Sequence, residues 1–349
     1  METSAEETSA EETVRGVPWR RLGRADSARA ATLLAEAHRR NLAVGVALPT
    51  GAMDAAAVAA ALADGAALLG AGTGADGPLR AMAAVWPDGE IGLIAVADAE
   101  AGHGLGDAAL AAAEGLAFAL GHDRVYLRTA SAHPWLAAWY RRRGYVEEAV
   151  PGATTACDLR LSRDLAQTWR PSARRRCAWA DTGARLAAYH DVEWGIWVEG
   201  ERDLFERLSL EVFQTGLSWR AVLAKRAALR AGLLGFEPDR LAAADAADEA
   251  RFLATPGVIR SPRKFWATVH NARSVAALRQ EHGSFAAYLR GRPAAAAYEE
   301  LRPRLRFFGP SVAQSFFESV GLVPAPHAAP CDRATASPPQ EGGGRRPEA

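Results

Sequence analysis

Asp203-Leu-Phe-Glu-Arg-Leu-Ser-Leu-Glu-Val-Phe-Gln-Thr-Gly-Leu-Ser-Trp219 reads as one helix, a glycine break, and the first residue of a second helix. Asp203 and Glu206 stand in capping-box spacing, and Leu204, Phe205, Leu208 and Val212 recur at the helical period that buries one face. Gly216-Leu217 interrupts the pattern. Ser218 can cap the next helix, whose Trp219, Val222, Leu223 and Leu229 fall on related turns. Working outward, Asp248–Ala254 reads as a further helix, and Thr255-Pro-Gly-Val-Ile-Arg-Ser-Pro262 breaks it. Ser261, with Pro262 at the first helical position, then opens a helix through Leu278. Residues 176–333 are therefore expected to form an all-α domain.

Toward the N-terminus the pattern alternates. Ser27–Asn41 reads as a helix, and a short strand begins at Ala66–Gly70. Leu79–Trp86 and Ile91–Val96 are strands around the turn Pro87-Asp88-Gly89. A helix (Asp107–Leu120), a strand (Arg124–Thr129), a helix (Pro134–Arg143) and strands to Leu161 follow. This predicts an α/β domain over 15–163, with a mixed sheet and helices. The polar, Pro-containing stretch 164–175 reads as a linker. The repeat SAEET near the start and the Pro-, Gly- and Arg-rich end read as disordered tails over 1–14 and 334–349.

The formal net charge of zero hides an asymmetry. Residues 1–170 carry 16 Lys and Arg against 21 Asp and Glu, whereas residues 171–333 carry 23 against 18. A basic C-terminal domain suits a polyanionic partner. Three cysteines (Cys157, Cys177, Cys331) do not make a disulfide framework. No apolar run reaches membrane length, and the N-terminus is acidic where a signal peptide would be basic. The chain is expected to be a cytoplasmic monomer without a membrane partner.

Cys177 and His190 lie near the start of the all-α domain, and His327 and Cys331, four residues apart, near its end. Two thiolates and two imidazoles would fill the tetrahedral shell of Zn2+ and leave no position for water, which makes such a site structural. From spacing alone, a packed thiol and a loose His–Cys tail is the alternative. Glu211 sits in an apolar helical stretch, but a solvent-facing carboxylate is the commoner arrangement.

Several dense blocks, taken together, resemble the 3-methyladenine DNA glycosylase I family. They are Cys177-Ala-Trp179, Ala188-Tyr-His-Asp-Val-Glu-Trp-Gly195, Leu210 to Trp219, and Val222-Leu-Ala-Lys-Arg226. Gly257-Val-Ile-Arg260, Asn271-Ala-Arg273, Phe308-Gly-Pro-Ser311, Gln314-Ser-Phe316 and the His327/Cys331 pair continue in the family's order. The resemblance implies a structural zinc on Cys177, His190, His327 and Cys331, a base pocket of Glu211, Trp179, Tyr189 and Trp219, and double-stranded DNA with alkylated bases as partner. It implies a helix-hairpin-helix element at Gly257, Arg260 and Lys264 that meets phosphate. Gly216-Leu217 is either a wedge into the gap left by a flipped base or a plain interhelical turn. N3-methylation makes the base cationic, so aromatic faces and a buried carboxylate suit it. No lysine lies near Glu211 to form a Schiff base, which predicts hydrolysis to an abasic site without strand cleavage. Departures from the family pattern are Thr215, Trp197 and Pro324-Ala-Pro326.

In the first domain, Ala101-Gly-His-Gly-Leu-Gly106 follows a strand and opens a helix, an arrangement that can present N–H groups to a pyrophosphate or be simply a tight turn. With Gly121–Thr129 and Trp139–Tyr145, it resembles the GCN5-related N-acetyltransferase family. That resemblance implies acetyl-CoA as cofactor, Gly104 and Gly106 at its pyrophosphate, Tyr140 as the acid that protonates the departing thiolate, and an acceptor that the sequence does not identify. Ala101 stands where the family carries a side-chain donor. Two rival readings follow: an acetyltransferase steered by a DNA-binding module, or a zinc-stabilised DNA-binding protein without activity.

Overall fold

Runs of small and branched apolar residues become an antiparallel meander in the first domain: β1 (Trp19–Arg21), β2 (Ala67–Gly72), β3 (Leu79–Val85) and β4 (Ile91–Val96) pair in sequence order. The computed structural model describes residues 19–72, 77–148 and 158–333; both tails (1–14 and 334–349) and Cys157 lie outside the described residues. β5 (Arg124–Thr129), β6 (Val146–Glu148) and β7 (Leu159–Asp164) form a second antiparallel sheet in the order β5-β7-β6. Instead of one mixed sheet, two antiparallel sheets meet, among the described residues, at a single parallel bridge from Glu90 to Tyr126. β4 and β5 are the strands joined by a crossover helix, and they pair only where they start.

Helices α1 (Ser27–Ala43), α2 (Ala55–Ala63), α3 (Leu105–Ala119) and α4 (Leu136–Arg142) complete this domain. The alanine-rich α2 has no amphipathic stripe to announce it; Asp54 starts it by accepting from the Ala57 N–H at 2.8 Å. Within the stretch read as a linker, α5 (Leu165–Thr168) follows β7 directly, and Trp169 is buried 5.3 Å from the Phe118 ring. On either side of Trp169, residues 166–168 and 170–175 are exposed.

The C-terminal domain is helical throughout: α6 (Ala184–Val192), α7 (Glu201–Gln214), α8 (Trp219–Ala224), α9 (Arg226–Gly232), α10 (Pro238–Ala242), α11 (Ala246–Ala254), α12 (Pro262–His282), α13 (Phe285–Arg290), α14 (Ala294–Leu301) and α15 (Pro310–Ser319). Two expectations need correction. The capping box at Asp203 does not form: α7 starts two residues earlier, behind Gly200, and Asp203 instead pairs with Arg21 of β1 at 2.5 Å. The helix expected to run from Trp219 through Leu229 is split at Lys225 into α8 and α9. Ser218 and Ser261 cap their helices as their chemistry suggests, accepting from the Ala221 and Lys264 N–H groups.

Phe205, Phe213, Phe252, Phe265, Phe285 and Phe316 fill the core of the helical domain. A second apolar core crosses from one domain to the other. It joins Val125, Leu127, Ala113 and Leu116 of the first to Ala187 and Tyr189 on α6.

Candidate base pocket and metal centre

Tyr189 and His190 are consecutive on α6, so their side chains leave the helix about 100° apart. Tyr189 meets Trp219, ring centroids 5.2 Å apart, and Trp179 at 6.3 Å. Trp219 holds this place because Ser218 fixes the start of α8. Tyr189 is fully buried; burial, then the charges of Glu193 and Glu211, push its hydroxyl well above the usual phenol range. Glu211 lies on α7, whose buried face runs from Leu204 to Phe213.

The solvent-facing reading of Glu211 is thereby overturned. Its residue is 4% exposed, and its Oε2 is buried with no hydrogen-bond partner among the described residues. Burial, reinforced by the charge of Glu318, pushes its carboxyl up to about 8. An ionised carboxylate in such a place is costly unless something positive arrives to pair with it.

His190 leaves α6 on the side of Cys331 and His327. Its Nε2 lies 3.4 Å from Cys331 Sγ, while His327 Nδ1 lies 3.6 Å from Cys331 Sγ and 3.7 Å from Cys177 Sγ. The ligand atoms of all four residues fall within 4.8 Å of one another, so the donor set can hold a metal ion. Asp191 Oδ1 sits 3.0 Å from His190 Nδ1, and the same carboxylate accepts from Arg176, Nε to Oδ1 at 3.0 Å and Nη2 to Oδ2 at 2.7 Å. A carboxylate behind a histidine is the usual means of fixing which nitrogen faces a metal.

Trp194 joins the two clusters, and the sequence reading did not single it out. Its ring lies 5.0 Å from Trp179 and 4.7 Å from His327. Asp191 and Trp194 both stand in the quoted block Ala188–Gly195; their roles depend on side-chain directions that spacing alone does not give.

Gly216 has φ +81 with nothing near its Cβ direction, and Leu217 beside it is 41% exposed. Between α11 and α12, Gly257 takes φ +78, which lets the chain turn. Arg260 is exposed and donates through Nε to the Leu253 carbonyl at 3.0 Å. Lys264 stands in the first turn of α12, beside Ser261 and Pro262. Its ammonium donates to the carbonyls of Phe213 (2.8 Å) and Thr215 (2.7 Å), closing the end of the Glu211 helix.

In the first domain, Gly104 (φ +80) is the residue from which α3 springs, and Gly106 lies against Trp139 and Val96. β4 bulges just before this loop: Leu93 takes φ +49 and the pairing with β3 slips past Ala83. Tyr140 on α4 is buried between Trp139 and Tyr145, and burial raises its hydroxyl above the usual range, so it stays protonated. Glycine loop and tyrosine belong to the same domain, remote in sequence from Glu211.

The family description Methyladenine glycosylase matches residues 179–302, and the description Acetyltransferase (GNAT) family matches residues 53–145. The DNA-3-methyladenine glycosylase 1 of Escherichia coli K12 is 31% identical over 170 residues, 42% of this chain and 91% of that protein. The DNA-3-methyladenine glycosylase of Haemophilus influenzae is 34% identical over 114 residues, 33% of this chain and 62% of that protein. A crystal structure of a 3-methyladenine DNA glycosylase I superposes with a TM-score of 0.42 at 34% identity, covering 46% of this chain and 99% of that one. Through its C-terminal half, this chain belongs to the methyladenine glycosylase family.

Proposed function

We propose that the chain excises 3-methyladenine from DNA by hydrolysing its N-glycosidic bond, leaving free base and an abasic site. The observation that carries the reading is Glu211, whose buried Oε2 has no hydrogen-bond partner among the described residues and whose charge reaches Tyr189, the ring that meets Trp219 and Trp179. A flipped base would stack on those rings. A cationic purine suits the pocket because it lets Glu211 ionise, releasing its proton as the base enters; a neutral base leaves the carboxyl protonated. N3-methylation already makes the base a good leaving group, so the site has only to hold the cation and support positive charge developing on the sugar.

Cys177, His190, His327 and Cys331 would hold Zn2+, with Asp191 fixing His190. A bound zinc would supply a cross-link between the two ends of the domain rather than an activated water. Gly257 and the start of α12, with Arg260, would meet the DNA backbone as a helix-hairpin-helix, and Leu217 would enter the duplex as a wedge. Incubating the protein with duplex DNA treated with a methylating agent should release free 3-methyladenine, detected chromatographically, without breaking the strand. Release of no methylated purine would defeat this reading.

A second activity has its own support: the left-handed glycine at the start of α3, the β4 bulge and a protonated Tyr140 suit an acetyl-CoA-dependent N-acetyltransferase. Calorimetry should detect acetyl-CoA binding, weakened because Ala101 offers no side-chain donor. No heat and no thermal stabilisation at millimolar acetyl-CoA would mark the domain as non-catalytic.

A further inference from the structure

The last carbonyls of a helix have no partners inside it, and they carry the negative end of its dipole. At the end of α3 these carbonyls are taken by three arginines of the other domain. Arg185 donates to Phe118 O, Arg226 Nη1 to Ala119 O at 3.0 Å, and Arg230 Nη1 to Leu120 O at 2.7 Å. Arg185 also pairs with Asp123, and its guanidinium lies 4.1 Å from the centre of the Phe118 ring. Gly121, at φ +101, lets the chain turn away there; a Cβ would come within 3.0 Å of the Ala227 nitrogen.

Arg226 makes this contact more than a docking patch. It is completely buried, yet its guanidinium is nearly saturated. Nη1 and Nη2 grip the Glu193 carboxylate at 2.7 and 2.8 Å, and Nε reaches Glu206 at 2.8 Å. Glu193 directly follows α6, which carries Tyr189. Glu206 is on α7, which carries Glu211. Arg226 itself follows α8, which carries Trp219. One guanidinium thus ties together the three helices that hold three of the four pocket groups, and its further hydrogen bond is to the Ala119 carbonyl of the α/β domain. Arg230 repeats the pattern, bonding Glu206 at 2.6 Å as well as Leu120 O. Removing a partner from a buried ionic junction leaves desolvated donors unsatisfied, so such a junction is held only when complete.

We propose that the α/β domain is a positioning element of the base pocket: the end of α3 completes the Arg226 junction that sets Tyr189, Glu211 and Trp219 relative to one another. Arg226, Glu193 and Glu206 are positioning residues in this scheme. The proposal rests on the glycosylase reading for its effect on turnover, but the junction and the geometry it imposes can be tested without it.

Two full-length variants test the proposal. In the first, a site-specific protease sequence is inserted into the exposed stretch 170–175 and the folded, purified protein is cut there. The halves are expected to stay together on gel filtration at physiological salt; halves that separate overturn the proposal. In the second, Gly121→Val pushes the end of α3 off α9. It should keep far-ultraviolet circular dichroism, change the near-ultraviolet signal of the tryptophan–tyrosine cluster, and lower excision kcat about tenfold with KM within twofold. Should Gly121→Val not fold, Arg185→Ala takes its place, since its hydrogen bonds and ring contact are all to the α/β domain. An unchanged near-ultraviolet spectrum and unchanged kcat in a folded variant with a lowered melting temperature would overturn the proposal. If the wild type releases no methylated base, the glycosylase reading fails, and the gel-filtration and spectral results still decide this one.

Discussion

At pH 8 the Glu211→Gln variant should melt higher than the wild type while releasing 3-methyladenine roughly 100- to 1000-fold more slowly, the scale on which loss of one preorganised electrostatic contact slows an enzyme. The two effects have one origin. Burial and the charge of Glu318 hold the Glu211 carboxyl at about 8 in the folded protein, against a usual value of 4.5. Between those limits the unfolded chain has given up its proton and the folded chain retains it. Folding therefore takes up a proton, and stability falls as pH rises through the window, by at most about 1.4 kcal/mol per pH unit. Below the usual carboxyl range both states are protonated and the penalty is absent. Glutamine has no proton to lose, so its advantage should be small at pH 5 and should grow steadily to pH 8. Denaturant melts of both proteins across that range measure it. Parallel stability curves would mean that Glu211 is solvated or already paired, and an unchanged excision rate would remove it from the site.

That combination of buried, unpartnered and acidic was only half legible in the sequence. Leu204, Phe205, Leu208 and Val212 announce the buried stripe of α7, yet a glutamate on that helix is ordinarily turned to solvent, and nothing in the spacing says otherwise. Only the packing of α7 against α15, from which Glu318 acts, closes the site. Local chemistry was more reliable. Ser218, Ser261 and Pro262 mark helix starts because capping is decided within a few residues. The capping box at Asp203 failed for the complementary reason: a tertiary partner, Arg21, claims that carboxylate from 182 positions away. Lys264 shows the same reach on a cation: nothing in its own stretch announces that its ammonium donates to two carbonyls at the end of α7, about fifty positions away. The Arg226 junction was least legible of all. Arg226 closes one of the quoted blocks, Val222–Arg226, but its spacing assigns it no role, and its significance depends on three helices and a second domain arriving around it.

Replacing Cys177 with alanine should do far more than removing a packed thiol. As a small buried side chain, its loss through repacking alone would cost on the order of 1 kcal/mol. As one of four metal ligands, its loss removes a cross-link that, in small zinc-dependent folds, is worth about 10–16 kcal/mol, comparable to the entire stability of an ordinary domain. The geometry gives that cross-link much to hold. Cys177 stands at the start of the helical domain and Cys331 at its end, 154 positions apart in sequence, with the four ligand atoms inside 4.8 Å. His190 is the neighbour of Tyr189, and Trp194 bridges His327 to Trp179, so slackness at the centre would reach the aromatic cluster within one side chain. Wild-type protein purified without chelator should contain one zinc per chain. Cys177→Ala should contain none, melt at least roughly 10 °C lower, and lose excision together with its near-ultraviolet signal. A variant that melts within a few degrees of the wild type, or a wild type without stoichiometric metal, would reduce the four residues to a packed thiol pair with two histidines beside it.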